Sequence, residues 1–217
     1  MRPLKSDVIV KGIAEMRNKT KKRNFTQSID LVLTLKDIDV TKPENRLNEE
    51  LVLPMGIGRD VKLALIASGE LALQGKKVMD RVITKEELEE LAKDKKASKA
   101  LANEYDYFVA QADLMVAVGK SMGSVLGPRG KMPKPVPPNA DLKPLAERLK
   151  RTIRIRTKEA PIIQVPVGTE KMDDKSLAEN IKAVLKYLEG KLDRGVNNIR
   201  SVYLKATMGP SVKLEVI

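Results

Sequence analysis

Val61-Lys62-Leu63-Ala64-Leu65-Ile66-Ala67 is an apolar run interrupted by one lysine, with no alternation of apolar and polar positions. A strand of this kind has to be covered on both faces, which is the habit of parallel sheets flanked by helices. The chain keeps that grammar downstream. Residues 78–83 read as a weaker strand, Thr84-Lys85-Glu86-Glu87 as a capping box that opens a helix, and residues 107–110 as a third strand. Helices are expected over 113–126 and 142–151. Strands alternating with helices predict a three-layer α/β unit on a mostly parallel sheet.

On either side of this unit the period changes. Upstream, Leu4, Val8, Ile9, Ile13 and Met16 recur at helical steps over residues 4–18. Ile29, Leu31, Leu33 and Leu35 then alternate with Asp30, Val32, Thr34 and Lys36 as a half-buried strand. Residues 51–53 read as a second strand, closed by Pro54. Downstream, residues 153–158 alternate again, 161–167 form a strand, 176–188 an amphipathic helix, and 199–208 and 212–216 the closing strands. The expected organisation is an outer α+β domain, residues 1–59 and 155–217, with the α/β domain, residues 60–154, inserted into it. The chain crosses twice, at Arg59-Asp60 and at Arg154-Ile155, and paired crossings make a hinge.

Composition narrows the chemistry. Among 217 residues there are 41 Lys and Arg against 29 Asp and Glu, a net charge of +12, and no His, Cys or Trp. That excludes a disulfide framework, a Cys or His metal site, a thiol nucleophile and histidine acid–base work. No stretch resembles a signal peptide or a membrane span, so the expectation is a soluble intracellular protein. Eight of the basic groups fall in residues 1–24, against Asp7 and Glu15 only. Folding does not need so much charge, and a polyanion is its usual partner. With 3% aromatic content there is little to insert into a membrane.

Several motifs fail on inspection. Gly56-Ile57-Gly58 follows a strand, but the third glycine of a dinucleotide fingerprint would fall at Val61. Gly127-Pro128-Arg129-Gly130-Lys131 imitates a phosphate loop, yet Val125 and Met132 stand where that motif needs Gly and Ser or Thr. What remains over 119–138 is a long loop with five prolines, either an ordered surface loop or one that grips phosphate through Arg129, Lys131 and Lys134. The paired carboxylates lie in turns or on charged helix faces. No catalytic or metal site is expected, and no cofactor.

Two strands carry more information. Alternation sets Ile153 and Ile155 on one face and Arg154, Arg156 and Lys158 on the other, three cations at intervals of about 6.8 Å. In the C-terminal run, Ser201, Tyr203, Lys205 and Thr207 share a face, opposite Val202, Leu204, Ala206 and Met208. Gly209 then lets the backbone turn or approach a partner closely. A strand face of hydroxyls and a lysine suits 2′-hydroxyls and phosphates. Met208 as a core residue beside a plain hairpin turn is the alternative.

Five segments, in order along nearly the whole chain, resemble the ribosomal protein L-one family, in its archaeal form. They are Arg23-Asn24-Phe25-Thr26-Gln27-Ser28; Leu53-Pro54-Met55-Gly56-Ile57-Gly58; residues 123–133 around Gly127-Pro128-Arg129-Gly130; Pro166-Val167-Gly168 with Asn180-Ile181 beyond it; and Arg200-Ser201-Val202-Tyr203 through Thr207-Met208-Gly209-Pro210-Ser211. The resemblance implies a split β-α-β outer domain carrying an inserted Rossmann-like domain. It also implies binding to the stalk region of large-subunit rRNA, influence on release of deacylated tRNA from the exit site, and repression through the protein's own mRNA. It further implies a cytoplasmic, ribosomal location and a monomer when free. Carried over by motif, the RNA contact falls on Phe25, Ser201, Thr207, Met208 and Gly209. Arg23, Asn24 and Lys205 stand beside them, and Gln164 and Lys171 flank the Pro-Val-Gly match. Met55 stands where many relatives have His, a departure expected to touch the hinge-side loop. An enzyme using the insert and a DNA-binding regulator are the rival readings; the failed glycine motifs count against the first, the lack of a recognition helix against the second.

Overall fold

The computed structural model describes residues 6–40, 42–157 and 159–215. The chain divides into two compact units, Met1–Arg59 with Arg151–Ile217, and Asp60–Lys150. The first segment supplies α1 (Ser6–Lys19), β1 (Ser28–Leu35) and β2 (Asn48–Val52). The inserted unit holds β3 (Leu63–Ile66), α2 (Gly69–Val78), β4 (Arg81–Ile83), α3 (Lys85–Lys93) and α4 (Lys95–Glu104). It continues with β5 (Tyr107–Gln111), α5 (Met115–Arg129), β6 (Lys134–Val136) and α6 (Leu142–Lys150). The last segment adds β7 (Thr152–Arg156), β8 (Ile162–Thr169), α7 (Asp174–Lys191), β9 (Ile199–Ala206) and β10 (Ser211–Leu214).

In the discontinuous unit four antiparallel strands lie in the order β10-β9-β1-β8. Period-two patterning puts Ile29, Leu31, Leu33 and Leu35 on one face beside Ile163, Val165, Val202, Leu204 and Val212, all buried. Ile9, Ile13 and Met16 of α1 and Leu177, Ile181, Val184 and Leu188 of α7 are buried with them. Each such side chain contributes about 1.5–3 kcal/mol on leaving water. The opposite face carries cross-strand rows: Asp30 between Pro166 and Lys205, Val32 between Gln164 and Tyr203, Thr34 between Ile162 and Ser201. β2 and β7 form a separate two-stranded ribbon.

The inserted unit is a parallel sheet in the order β4-β3-β5-β6. All four residues of β3 are buried, as its unbroken apolar run requires. Ala64, Ile66, Phe108 and Ala110 form one core with Leu88, Leu101, Met122 and Leu126 of α3, α4 and α5. Leu65 faces the other way, toward Gly75 of α2, and α6 packs beside α2.

Several expectations change. The second strand spans Asn48–Val52 rather than 51–53, and the strand expected over 78–83 begins only at Arg81, because Val78 ends α2. Residues 119–138 are not one long loop. α5 runs through Gly119, Gly123 and Gly127 to Arg129 because Val118, Met122 and Leu126 bury one face of it. It stops at Gly130, in the left-handed region at φ 67°, where Gly130 N donates to Gly127 O and Lys131 N to Leu126 O, both at 2.9 Å. That double cap satisfies the last carbonyls and needs a residue without a Cβ penalty.

The second crossing also moves. Arg154 and Ile155 sit inside β7, opposite Glu50 and Glu49, so the chain leaves the inserted unit earlier, at Lys150-Arg151. Of the row of cations on β7, Arg154 is held within the ribbon. Arg154 stands opposite Glu50 and donates through Nε to Asn48 Oδ1 at 2.9 Å, and Arg156 stands opposite Asn48. Leu4, Lys158 and Val216 lie outside the described residues.

Candidate nucleic-acid interface

β1 begins where β9 ends, and the two short segments beyond them are tied together. Thr207 N donates to Ser28 O at 3.0 Å. The Thr207 hydroxyl accepts from Ser28 N and donates to Ser28 O, each at 3.1 Å. Met208 N donates to Gln27 Oε1 at 3.1 Å, and Gly209 N closes the turn onto Ala206 O at 3.0 Å. A Cβ on Gly209 would lie 2.6 Å from Thr20 Oγ1, so only glycine lets the turn approach the end of α1. The chain thereby holds two large apolar side chains in solvent at one end of the sheet: Phe25 is 51% exposed and Met208 58%. Met208 is therefore not a core residue; the alternation stops at Ala206, where the turn begins.

Arg23 and Asn24 are exposed beside Phe25, and Lys171 is exposed just past the end of β8, whose Thr169 pairs with Ser28. These residues gather at the same end. Lys205 lies inward of the turn, opposite Asp30. Burial holds the Asp30 carboxyl above its usual range, and the Lys205 charge offsets only part of that rise. Gln164 and Ser201 lie further along the open face, opposite Val32 and Thr34. Thr34 is six residues from Ser28 along β1, roughly 20 Å at the rise of a strand. The carried-over residues thus form a cluster at one end and two outliers on the face.

Gln27, Glu170 and Arg17 are central to this end and had no part in the expected site. Gln27 is buried at 1% exposure, and its Nε2 donates to Lys21 O at 3.2 Å and Glu170 Oε2 at 3.3 Å. Arg17 belongs to the basic N-terminal cluster by sequence, yet it is occupied. Its Nε donates to Asp174 Oδ1 at 2.7 Å, Nη1 to Glu170 O at 2.8 Å, and Nη2 to Met172 O. Lys19 pairs with Glu15 at 2.6 Å. Lys21, Lys22 and Arg23 are exposed, and Lys21 and Lys22 border a cleft of about 330 Å³ that Thr20, Gln27 and Glu170 also line. One signal for Gln27 was available: residue 27 is in phase with the buried face of β1, where a polar side chain needs partners.

In the Gly/Pro-rich segment two of the three cations, Arg129 and Lys131, are bonded to carbonyls of the inserted unit. Arg129 Nη1 donates to Lys99 O at 3.1 Å, and Lys131 Nζ to Ala102 O and Tyr105 O at 2.9 and 2.7 Å. Both cations close the carboxyl end of α4.

Residues 17–210 match the model of the Ribosomal protein L1p/L10e family. The chain belongs to that family. Proteins named large ribosomal subunit protein uL1 are similar to it over nearly their full length. That of Methanothermococcus thermolithotrophicus is 53% identical over 207 residues, 95% of this chain and 97% of the relative. That of Methanothermobacter thermautotrophicus is 53% identical over 95% and 98%, and that of Pyrococcus horikoshii 50% identical over 95% of each. The L1p/L10e family is one of ribosomal proteins, structural rather than catalytic, and the enzyme reading falls with that.

The Asn180 motif serves the loop before the first crossing. Asn180 is fully buried, accepts from Met55 N at 3.1 Å, and donates to Gly56 O and Val167 O at 2.8 Å each. Thr169 Oγ1 donates to Gly58 O at 3.1 Å. The loop before the first crossing is thus clamped through its backbone, while the Met55 side chain is 46% exposed. The clamp takes only the backbone N of Met55, so it does not depend on the side chain at this position. Of the net charge of +12, +9 belongs to the discontinuous unit and +3 to the inserted one. Among the described residues no helix is long and apolar enough to cross a membrane.

Proposed function

We propose that this chain is a structural constituent of the large ribosomal subunit and binds the stalk region of its rRNA, beside the tRNA exit site, through the discontinuous unit. The supporting observation is the sheet end where Gln27 and Ser28 are bonded to the 207–209 turn, leaving Phe25 and Met208 exposed among Lys21, Lys22, Arg23 and Lys171. Lys and Arg supply affinity for phosphates that weakens with salt. The exposed Phe25 ring, and the polarizable Met208 thioether on the hydrogen-bonded turn, supply selectivity for unpaired bases and RNA shape. The relatives' shared name, with about half of all positions identical, supports the ribosomal assignment.

In this reading the crossings at Arg59-Asp60 and Lys150-Arg151 are the hinge between an RNA-binding domain and a Rossmann-like insert. The insert moves with the stalk and assists release of deacylated tRNA. The same seat accepts a similar fold in the protein's own operon mRNA and represses its translation, since a surface reading shape does not distinguish the two sources. The protein acts in the cytoplasm, on the ribosome, and is monomeric when free.

Filter binding with a stalk rRNA fragment tests the reading. Phe25→Ala and Met208→Ala should each weaken binding by ~1–3 kcal/mol, the range for one specific contact, with circular dichroism unchanged. Thr207→Ser should bind like the native chain, because the hydroxyl that bridges Ser28 is kept. Lys21→Ala with Lys22→Ala should weaken binding to every RNA and flatten its salt dependence. Unchanged affinity in both Phe25→Ala and Met208→Ala, or equal competition by duplex DNA, would overturn it.

A further inference from the structure

We infer that Gln27 is the positioning residue that pre-forms this RNA seat, by joining three chain segments that lie just beyond the ends of the paired strands. The inference rests on the reading above and deepens it. Gln27 continues the phase of Ile29, Leu31, Leu33 and Leu35, a position where a leucine or methionine would fill the core. An amide buried there is costly unless its hydrogen bonds are made. They are made, each to a different segment. Oε1 holds the Met208 amide of the 207–209 turn, and Nε2 holds the Lys21 carbonyl of the basic stretch and the Glu170 carboxylate of the turn after β8. Glu170 N also donates to Gln27 O at 3.0 Å.

Glu170 is itself fixed from outside, because Arg17 binds its carbonyl and that of Met172 while pairing with Asp174. Arg17, Glu170, Gln27 and the Met208 amide therefore form one connected line. It also accounts for a carboxylate at the edge of an anion-binding surface: Glu170 serves as acceptor to Gln27. Without Gln27 the basic stretch and the Met208 turn lose their common anchor. RNA would then have to order them on binding, which lowers affinity without removing a single contact to it. The phosphate contacts made by the exposed lysines are a separate quantity, and the salt dependence reports on them alone.

The test uses the full chain with Gln27→Met, of similar length but without hydrogen bonds, and Glu170→Gln, which keeps an acceptor. Three quantities are read: affinity for the stalk rRNA fragment, its salt slope, and hydrogen exchange of the Met208 amide against the amides of β1 and β9. Gln27→Met should bind ~10-fold more weakly with an unchanged salt slope, comparable to losing one specific contact. Its Met208 amide should exchange faster while β1 and β9 stay protected. Glu170→Gln should bind at least as tightly as the native chain. Combined with Met208→Ala, Gln27→Met should add little, since the two changes act on one element. Native-like binding with a protected Met208 amide in Gln27→Met would overturn the inference, and so would a general loss of protection in β1 and β9. Failure of the native chain to bind the fragment would instead sink the functional reading, and the exchange of the Met208 amide would still decide the role of Gln27 in holding the turn.

Discussion

Tyr187 on α7 donates its hydroxyl to Glu49 Oε2 at 2.9 Å, and Lys191, one turn further, donates to Glu49 Oε1 at 3.0 Å. The trio fastens the β2–β7 ribbon to the helix. Partial burial and the neighbouring carboxylate push the Tyr187 phenol up to about 12, while the bonds from Lys191 and Tyr187 hold Glu49 below its usual value. The folded phenol keeps its proton at pH values where the unfolded one has lost it. Its stabilising effect is therefore fully present below pH ~10 and fades as pH rises toward the folded value. An ultraviolet titration should show a tyrosine ionising near pH 12, and Glu49→Gln should bring that one down. Identical titrations would mean that the bond does not persist in solution. Residues of this sort were poorly legible in the sequence. Phe25, Thr207, Met208 and Gly209 could be named from a motif, but the bonds that gather them run through Gln27, 181 positions from Met208. Arg17 looked like one cation of a cluster until its three acceptors were placed.

At the scale of elements, α5 shows where local rules lead and mislead. Its glycines at 119, 123 and 127 recur every fourth residue, and a Cβ on any of them would meet nothing within 4 Å. They line the open side of a helix whose buried side decides its fate, so glycine content alone mimics a loop. The cap is the reverse case. Gly130 holds a conformation that other residues adopt at a cost of ~1–2 kcal/mol, with asparagine the least penalised. Urea unfolding of Gly130→Ala should show a loss of about that size, and Gly130→Asn a smaller one; equal stability of all three would remove the cap from the account. Strand periods were legible wherever one face is buried, as in β1 and β9. The partners of a strand were not. The arginines of β7 alternate in the sequence as expected, but Asn48 and Glu50 opposite them come from more than 100 residues away.

The molecule as a whole combines two folding problems of different length. In the inserted unit Leu63 N bonds Asp80 Oδ2, 17 residues on, and its parallel sheet closes within a single segment. In the discontinuous unit Ser28 meets Thr207 across 179 residues, and β1 has both neighbours at the far end of the chain. Closing long loops precedes the contacts that reward it, so the insert should form first. Pulsed hydrogen exchange during refolding should find the amides of β3 and β5 protected before those of β1; protection of β1 at the same time or earlier would contradict this ordering.

The central place of β1 has a bearing on synthesis. Translation delivers it early, yet 143 residues separate Gln27 from Glu170, just beyond its partner β8. At ~5–20 residues per second that leaves it unpaired for on the order of ten seconds. An alternating Ile-Leu-Leu-Leu segment waiting that long is a template for aggregation, and flanking cations are a known deterrent. Lys19, Lys21, Lys22 and Arg23 on one side and Lys36 on the other flank the nascent strand, where like charge disfavours its pairing with another copy.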